Sequence, residues 1–565
     1  MKKILIILLL AVSLVSQATV WHIATTGNDG TGDGTVGTPW LTLAYAITQA
    51  SSGDSIYVTA GTYDIGTQVD SPVGISIYGA GATSILRATA AVNPMIELSS
   101  AVQGTEGNQS ISFLKFDGNG LTGTWAININ LRSNVTVHDL TVEDFSSRGV
   151  QFRGTGATHV EPTTYSTGNS IYNCTFINTN DRGGAIRASG QDGLLIYDNV
   201  ITSYQRALGH DPTNVVMTGG AAANPARGGW NKGIKFYNNT SNMDRVYFDS
   251  DGTTPLWGFH VESWDVMGGF EFYNNTFNGG HVPIDIGGTF NVKGDYDYSW
   301  DIHNNVWQWS AQWPTDVDGS WGMVFEGGVQ DLIIRNNYFR NVPWGIHSSI
   351  VQSPRLHKNI HIHHNVMENI GWGNSVWGFG MWIAGGAADA VVRDINIYNN
   401  VISGGTSGTG SITGGIILNS SYDISNVKIR NNVIQNVVNY GCIGFWDGAG
   451  TIDSITIQNN ILHNNVNSSN FYYRNGKTVS YFVNNGDIKS DPLFVSSSDF
   501  HLQATSPGRD AGLDVSAITG GTDFHGASLS GAAYDIGAFE YGTGRLVNIG
   551  TTIPTINYKL VLIDH

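Results

Sequence analysis

The chain has 565 residues, with 28 Lys and Arg against 45 Asp and Glu, a formal net charge of −17, and charged residues make up only 13% of it, whereas glycine alone supplies 72 positions. An acidic, weakly charged surface excludes nucleic acid as a partner, because phosphate backbones are bound by basic patches. Two cysteines exclude a disulfide scaffold, and beyond the first twenty residues no apolar run is long enough to span a bilayer.

In chain order, Lys2 and Lys3, the apolar run Ile4 to Val15 and then Ser16-Gln17-Ala18 read as a signal peptide over 1–18, cleaved after Ala18. The mature protein is therefore expected to be secreted: extracellular, periplasmic or on the cell surface. No cysteine follows the apolar run to accept a bacterial lipid anchor. Residues 19–52 predict a strand, a Gly/Asp loop and a short helix near 40–50, opened by Thr38-Pro39, with Leu41, Leu43, Ala44 and Ile47 on one side. The helix caps the open N-terminal end of the strand-rich region that begins at 53. The Asp/Gly run at 28–35 lacks the full spacing of a calcium loop and reads as a turn.

From 53 to 485 one motif recurs ten times: IYNCTF at 171, IYDNVI at 196, FYNNTS at 236, FYNNTF at 272, IHNNVW at 302, IRNNYF at 334, IHHNVM at 362, IYNNVI at 397, IRNNVI at 429 and IQNNIL at 457. The second amide positions, from Cys174 to Asn460, are 25 to 40 residues apart. A loose period near thirty indicates a solenoid whose units bury their apolar faces on one another. Each unit offers short β-branched and aromatic runs and no stretch of 3.6-residue periodicity. The expected fold is all-β: a single-stranded, right-handed parallel β-helix with an N-terminal helical cap and a small C-terminal segment. The asparagines belong at a corner, where Asn tolerates left-handed backbone and stacked amides bond one another. Cys174 and Cys442, about eight coils apart, are expected to be separate buried thiols. A C-terminal segment at 486–542 and a short tail at 543–565 complete the chain.

Two stretches resemble known proteins. WHIATTGNDGTGDGTVGTPWLTLAYAITQASSGDSIYVTAGTYD is similar to the entry module of secreted β-helix proteins of the pectin-lyase-like superfamily. DPLFVSSSDFHLQATSPGRDAG followed by YDIGAFEYG resembles the end of exported bacterial proteins described as choice-of-anchor Q, which couple β-helices to surface anchors. After it comes only GRLVNIGTTIPTINYKLVLIDH, which is neither an apolar span nor a sorting domain. These resemblances imply fold and export and leave function open.

Chemistry is expected in one window. Twelve of the 16 tryptophans fall between 230 and 382, many of them in connections between strands, where indoles can stack on sugar rings. Trp257, Trp264, Trp321, Trp344 and Trp382 are the candidate platforms. In the strands GFHVES, HVPIDIGG and GMVFEGG, period-two alternation turns His260, Glu262 and Glu326 outward, with Asp285 on the coil between the two glutamates. Glu262, Asp285 and Glu326 would then stack, adjacent ones about 5 Å apart and the outer two about 10 Å, which brackets the carboxyl spacings of glycoside hydrolysis. Repulsion within such a stack leaves a protonated acid beside an ionised partner. His260 and His347 could hold substrate hydroxyls.

Three readings remain open. Carboxylate-assisted hydrolysis of a polysaccharide needs no cofactor. A polysaccharide lyase would use Ca²⁺ held by the three acids and a cation such as Arg153 or Arg187. The window holds 15 Asp and Glu against 8 Lys and Arg, which suits polyuronates poorly and ranks hydrolysis ahead of elimination. A non-catalytic adhesin or surface fibre would only bind glycan.

Overall fold

The computed structural model describes residues 18–542, apart from segments 156–162, 180–182, 204–211, 219–229, 244–246, 249–254, 257, 265–267, 288–298, 310–321, 326–327, 349–355, 372–377, 385–390, 406–413, 420–422, 439, 447–449, 466–471, 475–481 and 529–530. Three long sheets run the length of the molecule. Sheet A has sixteen strands, from Val20–Ile23 to Phe482–Asn485; sheet B has fourteen, from Gly61–Ile65 to Ile461–Asn465; sheet C has fourteen, from Val69–Asp70 to Tyr472–Arg474. Each coil contributes one strand to A, then B, then C, and pairs in parallel with the next coil. The chain is an all-β parallel β-helix. Sheet A starts at Val20–Ile23, which pairs with Ser55–Val58 ahead of the expected start at 53.

The helix is Leu43–Gln49, later and shorter than expected. The Thr42 hydroxyl accepts from the Tyr45 N–H as its N-cap, and Leu43, Ala46 and Ile47 are buried. Leu41 lies outside it at 40% exposure, and Ala44 is exposed. The buried face is therefore Leu43, Ala46 and Ile47 in place of the expected Leu41, Leu43, Ala44 and Ile47.

The A-to-B corner is the constant part of every repeat, and its two amides do different work. The first residue takes the left-handed conformation: φ is +57° at Asn274, +56° at Asn304, +55° at Asn336 and +52° at Asn399. The second points inward and joins a continuous ladder. The Nδ2 of Asn199, Asn239, Asn275, Asn305, Asn337, Asn365, Asn400 and Asn432 each donates to the Oδ1 of the next, at 2.8 to 3.1 Å. The same Oδ1 also accepts the backbone N–H of the preceding amide, as Asn305 Oδ1 does from Asn275 at 3.0 Å. The second Nδ2 hydrogen reaches back one coil, from Asn275 to the Phe236 carbonyl at 2.9 Å. The ladder opens where the Cys174 N–H donates to Asn199 and closes on Asp487, an acceptor that needs no further partner above it.

Inside the coil, stacked Ile, Val, Leu and Phe form one axial core. Outside sheet A, His138, Tyr172, Tyr197, Tyr237, Tyr273 and His303 stack face to face with centroids 4.8 to 5.1 Å apart. Cys174 and Cys442 are both free and buried, and burial pushes the Cys174 thiol up to about 12.

The C-terminal segment packs against the outside of the A–B corner. Val366, Val401, Val433 and Ile461, which begin sheet B strands, form a second apolar cluster with Phe500, Phe524, Ile536, Ala538 and Phe539. On earlier coils the same register position holds Thr141, Thr175, Val200, Thr240 and Thr276, with Val200 exposed. The outward first amides dock the segment: Asn336 Nδ2 donates to the Phe524 carbonyl at 2.7 Å, Asn399 to Gly537 at 3.0 Å, Asn431 to Leu513 at 2.8 Å and Asn459 to Ala511 at 2.8 Å. Buried Asp535 accepts from the Asp510 and Tyr541 backbones at 2.7 and 2.6 Å, the reason a carboxylate sits inside YDIGAFEY.

Asn275→Leu or Asn337→Leu leaves corner groups unsatisfied and is expected to cost about 1–3 kcal/mol in urea unfolding. Asn274→Gly, at a position glycine adopts freely, should stay within about 0.5 kcal/mol. Equal losses at the two positions would show that the ladder is not what holds the corner.

Candidate functional site

Sheet C lies between the two corners whose lengths vary, whereas the A–B corner is two residues on coil after coil. Its strands alternate. Ile186, Val215, Val261, Ile284, Met323 and Ile346 face the core. The residues that follow them form an outer row: Glu97, Asn128, Gln151, Arg187, Val216, Glu262, Asp285, Val324, His347, Trp382, Ile417 and Gly444. Val216, Val324 and Ile417 are buried without joining the interior core, so much of this outer face is covered.

Glu262 and Asp285 are direct neighbours across adjacent strands, which places them one strand spacing, about 4.8 Å, apart at the backbone. The Thr213 hydroxyl donates to Glu262 Oε2 at 3.2 Å. Glu262 is half-buried, while Asp285 is 2% exposed. Register sets Val324 opposite Asp285, and Glu326, the expected third member, lies outside the described residues. Val324 takes this place because Met323, not Phe325, fills the core position that Ile284 fills one coil earlier.

His260 is another correction. Period-two alternation fails at the entrance to the strand, and His260 turns inward, fully buried, with Nδ1 2.7 Å from Ser241 Oγ and Nε2 3.0 Å from the Gly279 carbonyl. His347 does stand on the outer row, two coils past Asp285, edge-on to Trp344 at 5.2 Å. Burial lowers His347 to about 3, so it is a neutral imidazole at neutral pH. Arg187 is on the row two coils before Glu262 but only 4% exposed, and Arg153 occupies the neighbouring outer row, paired with Asn130.

The tryptophans divide. Trp300, Trp307 and Trp309, three of the twelve in the window, are core residues at 2% exposure, and Trp230 is buried at 3%. Trp257 and Trp321 lie outside the described residues, and Trp264 ends the strand Phe259–Trp264 opposite Gly287. Trp344 and Trp382 are half-buried on the outer face of sheet C, 6.1 Å apart, with Phe379 against both. They continue into Trp446, 5.6 Å from Trp382, and Tyr440, 4.5 Å from Trp446. Trp446 and Tyr440 went unnoticed in the sequence because the tryptophan count peaks earlier. The signal that finds Trp446 is the outward position in the strand Ile443–Trp446, which follows the same alternation as its neighbours.

For a cation, the described residues bring three ligands within 4.8 Å of one another only at Asp117, Glu143 and Asp144, beside sheet B and away from Glu262. There Arg87 and Lys115 already pair with Asp117 and Glu143. In the Asp/Gly run, Asp29 accepts from Leu41, Thr42 and the Thr42 hydroxyl, and Asp33 from Thr35 and Thr38, so both carboxylates shape the turn. Among the described residues no helix is long and apolar enough to cross a membrane.

No protein-family model matches the chain, and none of the curated proteins matches it. Among solved structures it is similar to a variant tailspike protein of E. coli bacteriophage HK620 in complex with a pentasaccharide, at 12% identity over 84% of this chain and 78% of that one, with a TM-score of 0.52. It is also similar to the catalytic domain of a GH87 alpha-1,3-glucanase in complex with tetrasaccharides, at 16% identity over 76% and 67% with a TM-score of 0.42. A third similarity is to PfbA, a surface adhesin of Streptococcus pneumoniae, at 12% identity over 74% and 85% with a TM-score of 0.39. At these identities the tailspike likeness shows the fold, and the other two add no argument.

Burial holds His260 at about 4 and His281, His347, His357 and His364 at about 3, against an ordinary 6.5. Below 6.5 the unfolded chain binds protons that the folded rings refuse, so stability is full above that value and falls with pH through the acid range. The thermal midpoint is expected to drop between about pH 7 and about pH 4.5. His357, fully buried with neither ring nitrogen hydrogen-bonded, isolates the effect. His357→Leu should flatten the profile, and an unchanged profile would assign the acid loss elsewhere.

Proposed function

We propose that this protein acts on a polysaccharide along the outer face of sheet C, with Glu262 and Asp285 cleaving the glycosidic bond by hydrolysis. The observation that carries the reading is their direct pairing on adjacent strands. Neighbouring-strand spacing of about 4.8 Å suits a retaining pair, in which carboxyls about 5–5.5 Å apart act as nucleophile and acid/base, and leaves no room for the water of an inverting pair. Asp285 takes the nucleophile's role, shielded from bulk water by its burial, where electrostatic interactions strengthen. Glu262, half-buried and held by the Thr213 hydroxyl, protonates the leaving oxygen and then activates water from the solvent side. Neutral His347 and the indoles of Trp344 and Trp382 hold sugar hydroxyls and ring faces further along. The tailspike that shares the fold was solved with a pentasaccharide, in keeping with a glycan partner.

Two alternatives have particular observations behind them. The 2% exposure of Asp285 favours glycan binding without cleavage. A calcium-dependent lyase is weakened by the burial of Arg187. Export and display at the cell surface belong to the same reading, from the signal-like residues 1–18 and the C-terminal stretch like that of choice-of-anchor Q proteins.

A glycan array with a reducing-sugar screen on the mature protein should identify a substrate. Glu262→Gln and Asp285→Asn are expected to lower turnover by about 100- to 10,000-fold while retaining the melting temperature and most of the binding. Ultraviolet-absorbing unsaturated product, abolished by chelator, would replace hydrolysis with elimination, and binding without product would leave the adhesin. N-terminal sequencing of exported protein should begin at Thr19.

A further inference from the structure

At the N-terminal end of the solenoid a carboxylate is closed off from solvent without a cation. Asp54 is 6% exposed, and among the described residues no lysine, arginine or histidine pairs with it. Its partners are three N–H groups. Oδ1 accepts from the Thr19 backbone at 2.9 Å, and Oδ2 accepts from the Ser51 backbone at 2.9 Å and the Trp21 indole at 3.0 Å. Burial alone would raise the Asp54 carboxyl, but these donors outweigh it and hold the group below its ordinary value, so it is ionised at neutral pH. A buried ionised carboxylate is ordinarily paired with a positive charge.

One of the three donors shows where that charge comes from. Thr19 directly follows Ala18, after which the signal-like residues 1–18 end. When a signal peptidase hydrolyses the Ala18–Thr19 bond, the hydroxyl of water goes to the Ala18 carbonyl carbon and its proton to the Thr19 nitrogen. The new acid and amine then ionise to carboxylate and ammonium. The atom that gains the positive charge is the atom already 2.9 Å from Asp54 Oδ1.

We propose that Asp54 is the receptor for the α-ammonium of Thr19 in the processed protein, so that removal of residues 1–18 adds an ion pair that locks the N-terminal cap; this rests on the processing reading above. Register shows what the lock holds. Val20 pairs with Ser55, which sets Thr19 opposite Asp54, and the Thr19 carbonyl accepts the Ser55 N–H at 2.9 Å. The strand Val20–Ile23 ends sheet A, with Ser55–Val58 on one side and the turn that carries Gly34 and Trp40 on the other. Terminal strands fray unless they are tied down. Ser51 lies two residues past the helix Leu43–Gln49, and the Trp21 ring packs on Trp40 at 5.0 Å. One carboxylate thus joins the edge strand, the end of the capping helix and the next strand. Thr19 is exposed, so water solvates the ammonium while one hydrogen stays on Asp54. With both partners charged, such a bond is roughly twice as strong as one between neutral groups. While residues 1–18 remain attached the same nitrogen is a neutral amide, and the cap reaches full strength only after processing.

The test compares three forms of the protein: beginning at Thr19 with a free amine, beginning at Thr19 with the amine acetylated, and beginning at Ala18. Hydrogen exchange is followed at the Ser55 and His22 amides, which bond the Thr19 and Gly34 carbonyls. Both blocked forms should exchange about fivefold or more faster there than the free amine, with unchanged exchange at distant coils. Asp54→Asn should abolish the difference between free and acetylated protein. A far-ultraviolet spectrum matching the parent excludes misfolding, and should Asp54→Asn fail to fold, the acetylated form of the parent decides alone. Equal exchange in the free and acetylated forms overturns the inference and leaves processing at Ala18–Thr19 standing, as does a difference that persists undiminished in Asp54→Asn. Exported protein whose first residue is not Thr19 removes the processing reading and the inference with it.

Discussion

Everything in this molecule depends on one side-chain amide that turns a corner and at the same time bonds its copies above and below. Each ladder asparagine accepts two hydrogen bonds at one oxygen and donates two from one nitrogen. Both donors and the oxygen are therefore satisfied in a place where water does not reach, since Asn275, Asn337 and Asn365 are at most 1% exposed. A corner made this way has constant length and constant register. It fixes where each coil begins relative to the last, whatever the coil does afterwards.

That constancy allows the coils to differ. Successive ladder positions are separated by as few as 25 and as many as 40 residues, yet sheets A and B hold their register throughout. The surplus residues leave at the two ends of the sheet C strands, and so sheet C alone combines a rigid floor with variable walls. Polar, acidic and aromatic side chains accumulate on its outer row for this reason. The outer row of sheet A, by contrast, is filled by tyrosines that stack on one another.

The outer, left-handed amides show a second economy. On the first coils they face solvent, as Asn238 and Asn274 do, while from Asn336 onward they hold the carbonyls of the C-terminal segment. Beside them, the residues that begin the sheet B strands under the segment are all apolar, whereas Thr and Val are mixed on earlier coils. Thr240 and Thr276 lie outside the covered region, and Val366, Val401 and Val433 lie within it. The second layer removes the apolar side chains of that file from water.

The sequence alone determined the repeat, the parallel coil, the inner file of asparagines, the separate buried thiols and the carboxylate pair Glu262 and Asp285. All of these rest on local patterns, namely period two within a strand and a recurring corner between strands. Other properties needed the assembled chain. Which residue stands opposite Asp285 depends on which residue of the next strand enters the core at that level, and a shift of two preserves the inward and outward alternation, so periodicity could not tell that Val324 takes that place. His260 turned inward because a corner breaks that alternation, and Trp300, Trp307 and Trp309 filled the core because wide coils need large side chains, which composition reads equally well as surface platforms. The cluster around Trp446 and the docking of the C-terminal segment join residues far apart in the chain. Such contacts are set by the axial stacking of coils, which no local pattern records.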